Sequence, residues 1–186
     1  MLMADQVQIN NHPHAIFAGG CFWCIQPFFD QTPGVISATV GYTGGHVANP
    51  TYQQVCGETT GHREAIDVVY DPAKVSYEKL LDVYWHSIDP TDAGGQFYDR
   101  GESYTTAIFY TTPEQLKAAE ISKAAVEKEL SPKKIATKIL PAKPFYPAEG
   151  YHQEYYKKEP SHFNSYKEAS GHDEKLKDIW GTTGTE

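Results

Sequence analysis

The stretch Ala15-Ile16-Phe17-Ala18-Gly19-Gly20-Cys21-Phe22-Trp23-Cys24 joins a short apolar run, a glycine pair and an aromatic-rich segment. Four apolar residues ended by two glycines read as a buried strand followed by a turn. Phe22 to Gln31 carries helical potential until Pro33-Gly34 stops it. The unit is strand, turn, helix, and the rest of the chain extends it. Ile36, Ala38 and Val40 alternate with polar neighbours as a half-buried strand entering the turn Gly41-Tyr42-Thr43-Gly44-Gly45. A long loop then reaches Gly61, and Ala65 to Tyr70 is rich in strand-forming residues up to Asp71-Pro72. Tyr77, Leu80, Leu81, Tyr84 and Trp85 form one apolar stripe of a helix that Ser76 caps.

Asp89 to Gly101 reads as a loop, and Tyr104 to Tyr110 as a strand. Thr112-Pro113-Glu114-Gln115 opens a helix running from Pro113 to about Leu130. A further strand is expected at Ile135 to Leu140, then little periodicity beyond Pro141 apart from a short helix near Gly150 to Lys158. The order strand, helix, strand, strand, helix, strand predicts an α+β fold. Its expected form is a two-layer sandwich of split βαβ (ferredoxin-like) type, with additional strands and helices and an irregular C-terminal tail.

A chain of 186 residues without repeats or low-complexity blocks fits one continuous core. Its net charge of −8 would repel phosphate backbones and anionic lipid, so nucleic-acid and membrane partners are not expected. Met1 to His14 lacks the features of a secretory signal, and Ala15 to Ile25 is too short to span a bilayer. A cytoplasmic monomer is the expectation. Three cysteines cannot all pair within the chain, which leaves thiol chemistry or inert burial. With 13 Tyr, 3 Trp and 8 Phe, aromatic residues exceed what packing requires, and some are expected to line a site.

Chemistry concentrates at Cys21. A thiol at the opening of a helix meets unpaired N–H groups and the positive end of the helix dipole, which favour thiolate. The glycines before it admit a substrate close to the sulfur. Alternatively, Cys21 and Cys24 are small core residues. The Cys21–Cys24 spacing also fits a dithiol oxidoreductase, or half of a zinc site completed by Cys56 and His62. Zinc fits poorly, because no second paired knuckle follows. A thioredoxin-like site fits poorly as well, because Phe22 and Trp23 are bulky between the cysteines.

The chain resembles the peptide methionine sulfoxide reductase A family. The matching stretches are Gly20-Cys21-Phe22-Trp23, Gly34-Val35, Gly41 to Gly45, Asn49-Pro50-Thr51-Tyr52, and Thr60-Gly61-His62 with Glu64-Ala65. They continue through Tyr70-Asp71-Pro72, Asp89-Pro90-Thr91, Asp99-Arg100-Gly101 with Tyr104, and Phe145 to Glu149 with His152-Gln153. Together they span residues 15–156, expected to be a single catalytic domain between an extension, 1–14, and a tail, 157–186.

The resemblance implies thiol-dependent reduction of methionine S-sulfoxide, free or protein-bound, through a cysteine sulfenic acid at Cys21. It assigns proton donation and oxygen binding to Glu64, Tyr42 and Tyr104, since a sulfoxide is a poor electrophile until its oxygen is protonated or hydrogen-bonded. A carboxyl near apolar residues can hold its proton at neutral pH. Read alone, Glu64 could equally be a solvated strand end and both tyrosines packing residues. Phe22 and Trp23 would receive the substrate methyl group, and Asp99 the main-chain N–H of the oxidised residue. His152 and Gln153 receive no role.

No metal or organic cofactor is implied, and thioredoxin or a similar dithiol is the expected reductant. Many members have Gly at Cys24 and Glu at Gln26. The family often carries resolving cysteines on a C-terminal tail, but Glu149 to Glu186 contains none. Cys24, Cys56 or an external thiol must then reduce the sulfenic acid, and Cys24 is favoured. The rival readings are a general dithiol oxidoreductase and a non-catalytic module that binds oxidised methionine.

Overall fold

The computed structural model describes residues 11–181, which form a mixed α+β fold around one six-stranded sheet. Most of the expected N-terminal extension and residues 182–186 of the tail lie outside the described residues. The sheet contains β1 (His14–Gly19), β2 (Val35–Thr43), β3 (Arg63–Tyr70), β6 (Thr106–Tyr110), β7 (Lys138–Pro141) and β8 (Tyr146–Pro147), in the order β7-β6-β1-β3-β2-β8. All neighbours are antiparallel except β6 and β7. A separate hairpin pairs β4 (Gly95–Gln96) with β5 (Asp99–Arg100). The longer helices are α1 (Phe22–Asp30), α3 (Tyr77–His86), α4 (Pro113–Glu129), α6 (Pro160–Ser170) and α7 (His172–Trp180). Two short ones are α2 (Tyr52–Cys56) and α5 (Tyr155–Lys158).

Strand alternation explains the layering. Ala15, Phe17, Val40, Tyr42, Ile66, Val68 and Ile108 face the helices and share one core with Phe22, Ile25, Phe29, Leu80, Leu81 and Tyr84. Ile16, Ala18, Ala65, Ala107 and Phe109 face the other way in a smaller cluster. At the centre, the Phe17 ring stacks on Tyr84 at 4.7 Å and on Phe29 at 5.5 Å. The fully buried Tyr84 hydroxyl donates to the Ala18 carbonyl at 2.6 Å, fixing α3 to the end of β1. There Gly20 turns the chain with φ +80°, and a Cβ on it would lie 2.6 Å from Cβ of Gln96.

Several boundaries differ from the sequence expectation. Tyr104 lies in a 3-10 turn, Glu102–Tyr104, and its strand begins only at Thr106. The long loop before Gly61 contains α2, whose Thr51 and Gln54 exchange reciprocal capping bonds. The expected irregular C-terminal tail is instead two helices, and this corrects the sequence reading. Phe163, Ser170, His172 and Leu176 are the only residues that α6 and α7 bury, too few to mark an apolar stripe. Gly171, at φ +64°, ends one helix and starts the next. Trp180 then ties α7 back to the domain by donating from Nε1 to the Ile88 carbonyl at 3.0 Å. No helix among the described residues is long and apolar enough to cross a membrane.

The edge strand β8 depends on Gly41, where a Cβ would sit 2.4 Å from the Tyr146 carbonyl oxygen. Gly41→Ala is expected to lower the unfolding free energy by about 1–3 kcal/mol, because backbone rather than a flexible side chain must give way. Urea unfolding checks this, and an unchanged midpoint would contradict it.

Candidate active site

Cys21 follows the β1 turn and occupies the N-cap of α1, with φ −57° and ψ 117°, partly buried. The next residue supplies the link to the sheet: the Phe22 amide donates to Glu64 Oε1 at 3.1 Å. Glu64 lies on the same face of β3 as Ile66 and Val68, so alternation sends its carboxyl into the core, where it is 2% exposed. Burial pushes its pKa up to about 8. Hydrogen bonds from the Phe22 amide and Tyr104 pull it down, and the charges of Asp99 and Glu58 add to the rise. At neutral pH the group is therefore mainly a carboxylic acid. The solvated strand end is ruled out.

Cys21 departs from the sequence expectation. Burial raises its thiol pKa well above the ordinary value, followed by the Cys24 hydrogen bond and the charges of Cys24, Glu64 and Asp99. The Phe22 N–H at the helix start is directed to Glu64, and the nearby ionisable side chains are acidic. The resting thiol keeps its proton.

The cross-strand pairing of Tyr42 with Glu64 sets their side chains next to each other. Tyr42 is fully buried, and its hydroxyl donates to Glu149 Oε1 at 3.0 Å. Burial, then the Glu149 bond, raises its pKa. Tyr104 is half-buried, and burial followed by the charge of Glu64 raises its pKa. Asp99, on β5, is pushed up to about 6 by burial. Cys21, Glu64, Tyr42, Tyr104 and Asp99 thus form one electrostatically connected cluster.

The two aromatics after Cys21 separate. Phe22 is 1% exposed and lies 5.8 Å from the Tyr42 ring and 5.1 Å from His152. Trp23 is half-buried, stacks on Tyr155 at 4.0 Å and donates from Nε1 to His152 Nδ1 at 2.9 Å. That bond makes Nδ1 the acceptor of a neutral imidazole, and burial lowers the His152 pKa in agreement. Cys24 is buried, three residues along α1, whereas Cys56 is exposed on α2 beside Tyr52 and Tyr104. All three cysteines are free. Among the described residues no group of three or more His, Cys, Asp or Glu is placed to hold a metal ion. Cavities of about 530 Å³ beside Arg63 and about 480 Å³ beside His14 are lined by none of Cys21, Glu64, Tyr42 or Tyr104.

Sequence reasoning missed the supporting residues. Glu149 joins Tyr42 to the Tyr52 amide, which it accepts at 3.2 Å. Gln153 accepts the Val40 amide at 3.0 Å and donates to the Val40 carbonyl at 2.8 Å. Gln26 donates to the Ala38 carbonyl and accepts the Glu154 amide. These polar residues dock the segment after β8 on the sheet. Their clustering in the motif around Glu149 to Gln153 was the available signal.

A partly buried thiol at a helix start, in one electrostatic cluster with a buried carboxylic acid and two phenols on an α+β sheet, makes this a candidate thiol-based oxidoreductase site. A family model described as peptide methionine sulfoxide reductase matches residues 13–183. The chain is 55% identical over 168 residues to the peptide methionine sulfoxide reductase MsrA of Bacillus licheniformis, covering 90% of this chain and 93% of that one. Among solved structures, methionine sulfoxide reductase A of Corynebacterium diphtheriae aligns with a TM-score of 0.74 and 35% identity, covering 79% of this chain and 74% of that one. Reduced Mxr1 of Saccharomyces cerevisiae aligns with a TM-score of 0.76 and 30% identity, covering 80% and 86%. The chain belongs to the peptide methionine sulfoxide reductase family.

The raised Glu64 pKa has a consequence for stability. The unfolded chain releases this proton near the ordinary value of 4.5 and the folded protein near 8, so between them the folded state holds one extra proton. Stability falls as pH rises across that window and levels off above it. Glu64→Gln removes this dependence. Urea unfolding across the window should show the wild type losing stability relative to the variant, and parallel profiles would contradict the assignment.

Proposed function

We propose that this protein reduces methionine S-sulfoxide, free or in proteins, to methionine, as a peptide-methionine (S)-S-oxide reductase. The observation that carries the reading is the Cys21 thiol beside the buried, protonated Glu64. The Cys21 sulfur attacks the sulfoxide sulfur while Glu64 gives its proton to the oxygen, and the thiol proton replaces it. Oxygen passes to Cys21 as sulfenic acid, and the thioether leaves as methionine.

Tyr104, near enough to Glu64 to lower its pKa, holds the oxygen, and Tyr42 joins it by exchanging its bond to Glu149. Phe22 and Trp23 receive the methyl group, and Asp99 accepts the main-chain N–H. The Cys24 thiol then attacks the sulfenic acid, releasing water and leaving a Cys21–Cys24 disulfide. An external dithiol of thioredoxin type reduces that disulfide. Mxr1 has been solved in complex with Trx2, which supports a partner of this kind. Sulfoxide and thiols supply every atom and electron in the cycle.

The four strands β6-β1-β3-β2, with α1 and α3 as crossovers, support a split βαβ unit at the centre of the fold, because β1 and β2 run parallel with β3 between them. The net charge of −8 supports a monomer without nucleic-acid or membrane partners.

With racemic methionine sulfoxide and dithiothreitol, only the S epimer should disappear, and Cys21→Ser should lose all turnover. Consumption of both epimers, or turnover by the variant, would contradict the proposal. Reduction of insulin at rates indifferent to Glu64→Gln would favour the dithiol oxidoreductase instead.

For recycling, Cys24→Ser should still release one methionine per enzyme but lose at least about tenfold in thioredoxin-supported turnover. Cys56→Ser should retain it. Mass spectrometry should detect the disulfide only where Cys24 is present, and parent-rate turnover by Cys24→Ser would remove it as resolver.

A further inference from the structure

Tyr166, on α6, touches two of the three residues assigned to substrate binding, Asp99 and Trp23. Its hydroxyl donates to Asp99 Oδ2, and its ring meets Trp23 edge-on, with centroids 6.1 Å apart and planes at 84°. Asp99 comes from the β4–β5 hairpin and Trp23 from α1, so a residue outside the 15–156 span links these two elements. Among the described residues, Tyr166 is the only side chain hydrogen-bonded to the Asp99 carboxylate.

Its support is firm. Phe163 is 6% exposed beneath α6, with its ring 6.2 Å from Tyr156. Past Gly171, the buried His172 packs its ring 4.1 Å from Phe97, two residues before Asp99, and Trp180 anchors the end of α7 on Ile88. The helix pair therefore holds the hairpin at two points, Asp99 and Phe97.

We propose that Tyr166 is a positioning residue for substrate recognition, holding Asp99 Oδ2 so that Oδ1 faces the main-chain N–H of the oxidised residue. This rests on the function proposed above. An aspartate on a two-residue strand rotates freely about its side-chain bonds, and a charge-assisted phenol bond removes that freedom before substrate arrives. The contact with Trp23 couples the carboxylate to the wall that receives the methyl group. The consequence is selectivity: a sulfoxide that carries an amide N–H gains from Tyr166, and one without it does not.

The test is Tyr166→Phe, which keeps the ring against Trp23 and removes only the hydroxyl. Steady-state kinetics with dithiothreitol compare N-acetylmethionine sulfoxide amide, which carries the N–H, with dimethyl sulfoxide, which lacks it. The ratio of their kcat/KM values should fall about tenfold, through KM for the amide rather than kcat. In an Asp99→Ala background the same substitution should move the ratio by less than about twofold, since the group it positions is gone.

Equal losses on both substrates would reduce Tyr166 to a structural contact, and a full effect in the Asp99→Ala background would break its link to Asp99. A lower KM for the amide in Tyr166→Phe would make the tyrosine an obstruction. Each of these results overturns the proposal. A wild-type enzyme that reduced neither sulfoxide would instead overturn the function on which the proposal rests.

Discussion

The hydrogen bond from the Phe22 amide to the Glu64 carboxyl ties the start of α1 to the middle sheet strand β3, and the candidate site lies around it. A charged carboxylate in this core would be costly, so the group remains protonated at neutral pH. Burial keeps the Glu64 proton in place and equally raises the pKa of the Cys21 thiol. The site therefore starts as neutral thiol and neutral acid, an uncharged pair facing a substrate group that is polar but carries no net charge. In the proposed reaction, activation comes from proton transfer in the complex rather than from a standing thiolate.

The elements that place this pair are the ones with the strongest local patterns. The Ala15–Ala18 run, the glycine pair and the strand-forming stretch from Ala65 to Tyr70 were visible as residues in order, and they put Cys21 and Glu64 on neighbouring elements. The stripe Tyr77, Leu80, Leu81, Tyr84, Trp85 appears as α3, with its Ser76 cap accepting the Lys79 amide. Direction of the thiol pKa was not legible. Helix position favours thiolate, but the outcome depends on burial and on which group the first amide serves, and both are tertiary facts.

The C-terminal region was legible only in part, for a different reason. α6 and α7 bury few apolar residues and dock through polar and aromatic contacts: Tyr166 on Asp99, His172 on Phe97, Trp180 on Ile88. Such contacts leave no period in the sequence. Glu149, Gln153 and Gln26 act likewise, satisfying main-chain groups that are far away in the chain. Their roles depend on pairings at separations of roughly a hundred residues, which hydropathy patterns do not encode.

The account stands or falls on the protonation of one carboxyl. Infrared difference spectroscopy of the reduced enzyme at neutral pH, wild type minus Glu64→Gln, reads it directly. The account predicts a carbonyl stretch of a protonated carboxylic acid that disappears in the variant and fades as pH is raised past about 8. A carboxylate band in its place at neutral pH would contradict it.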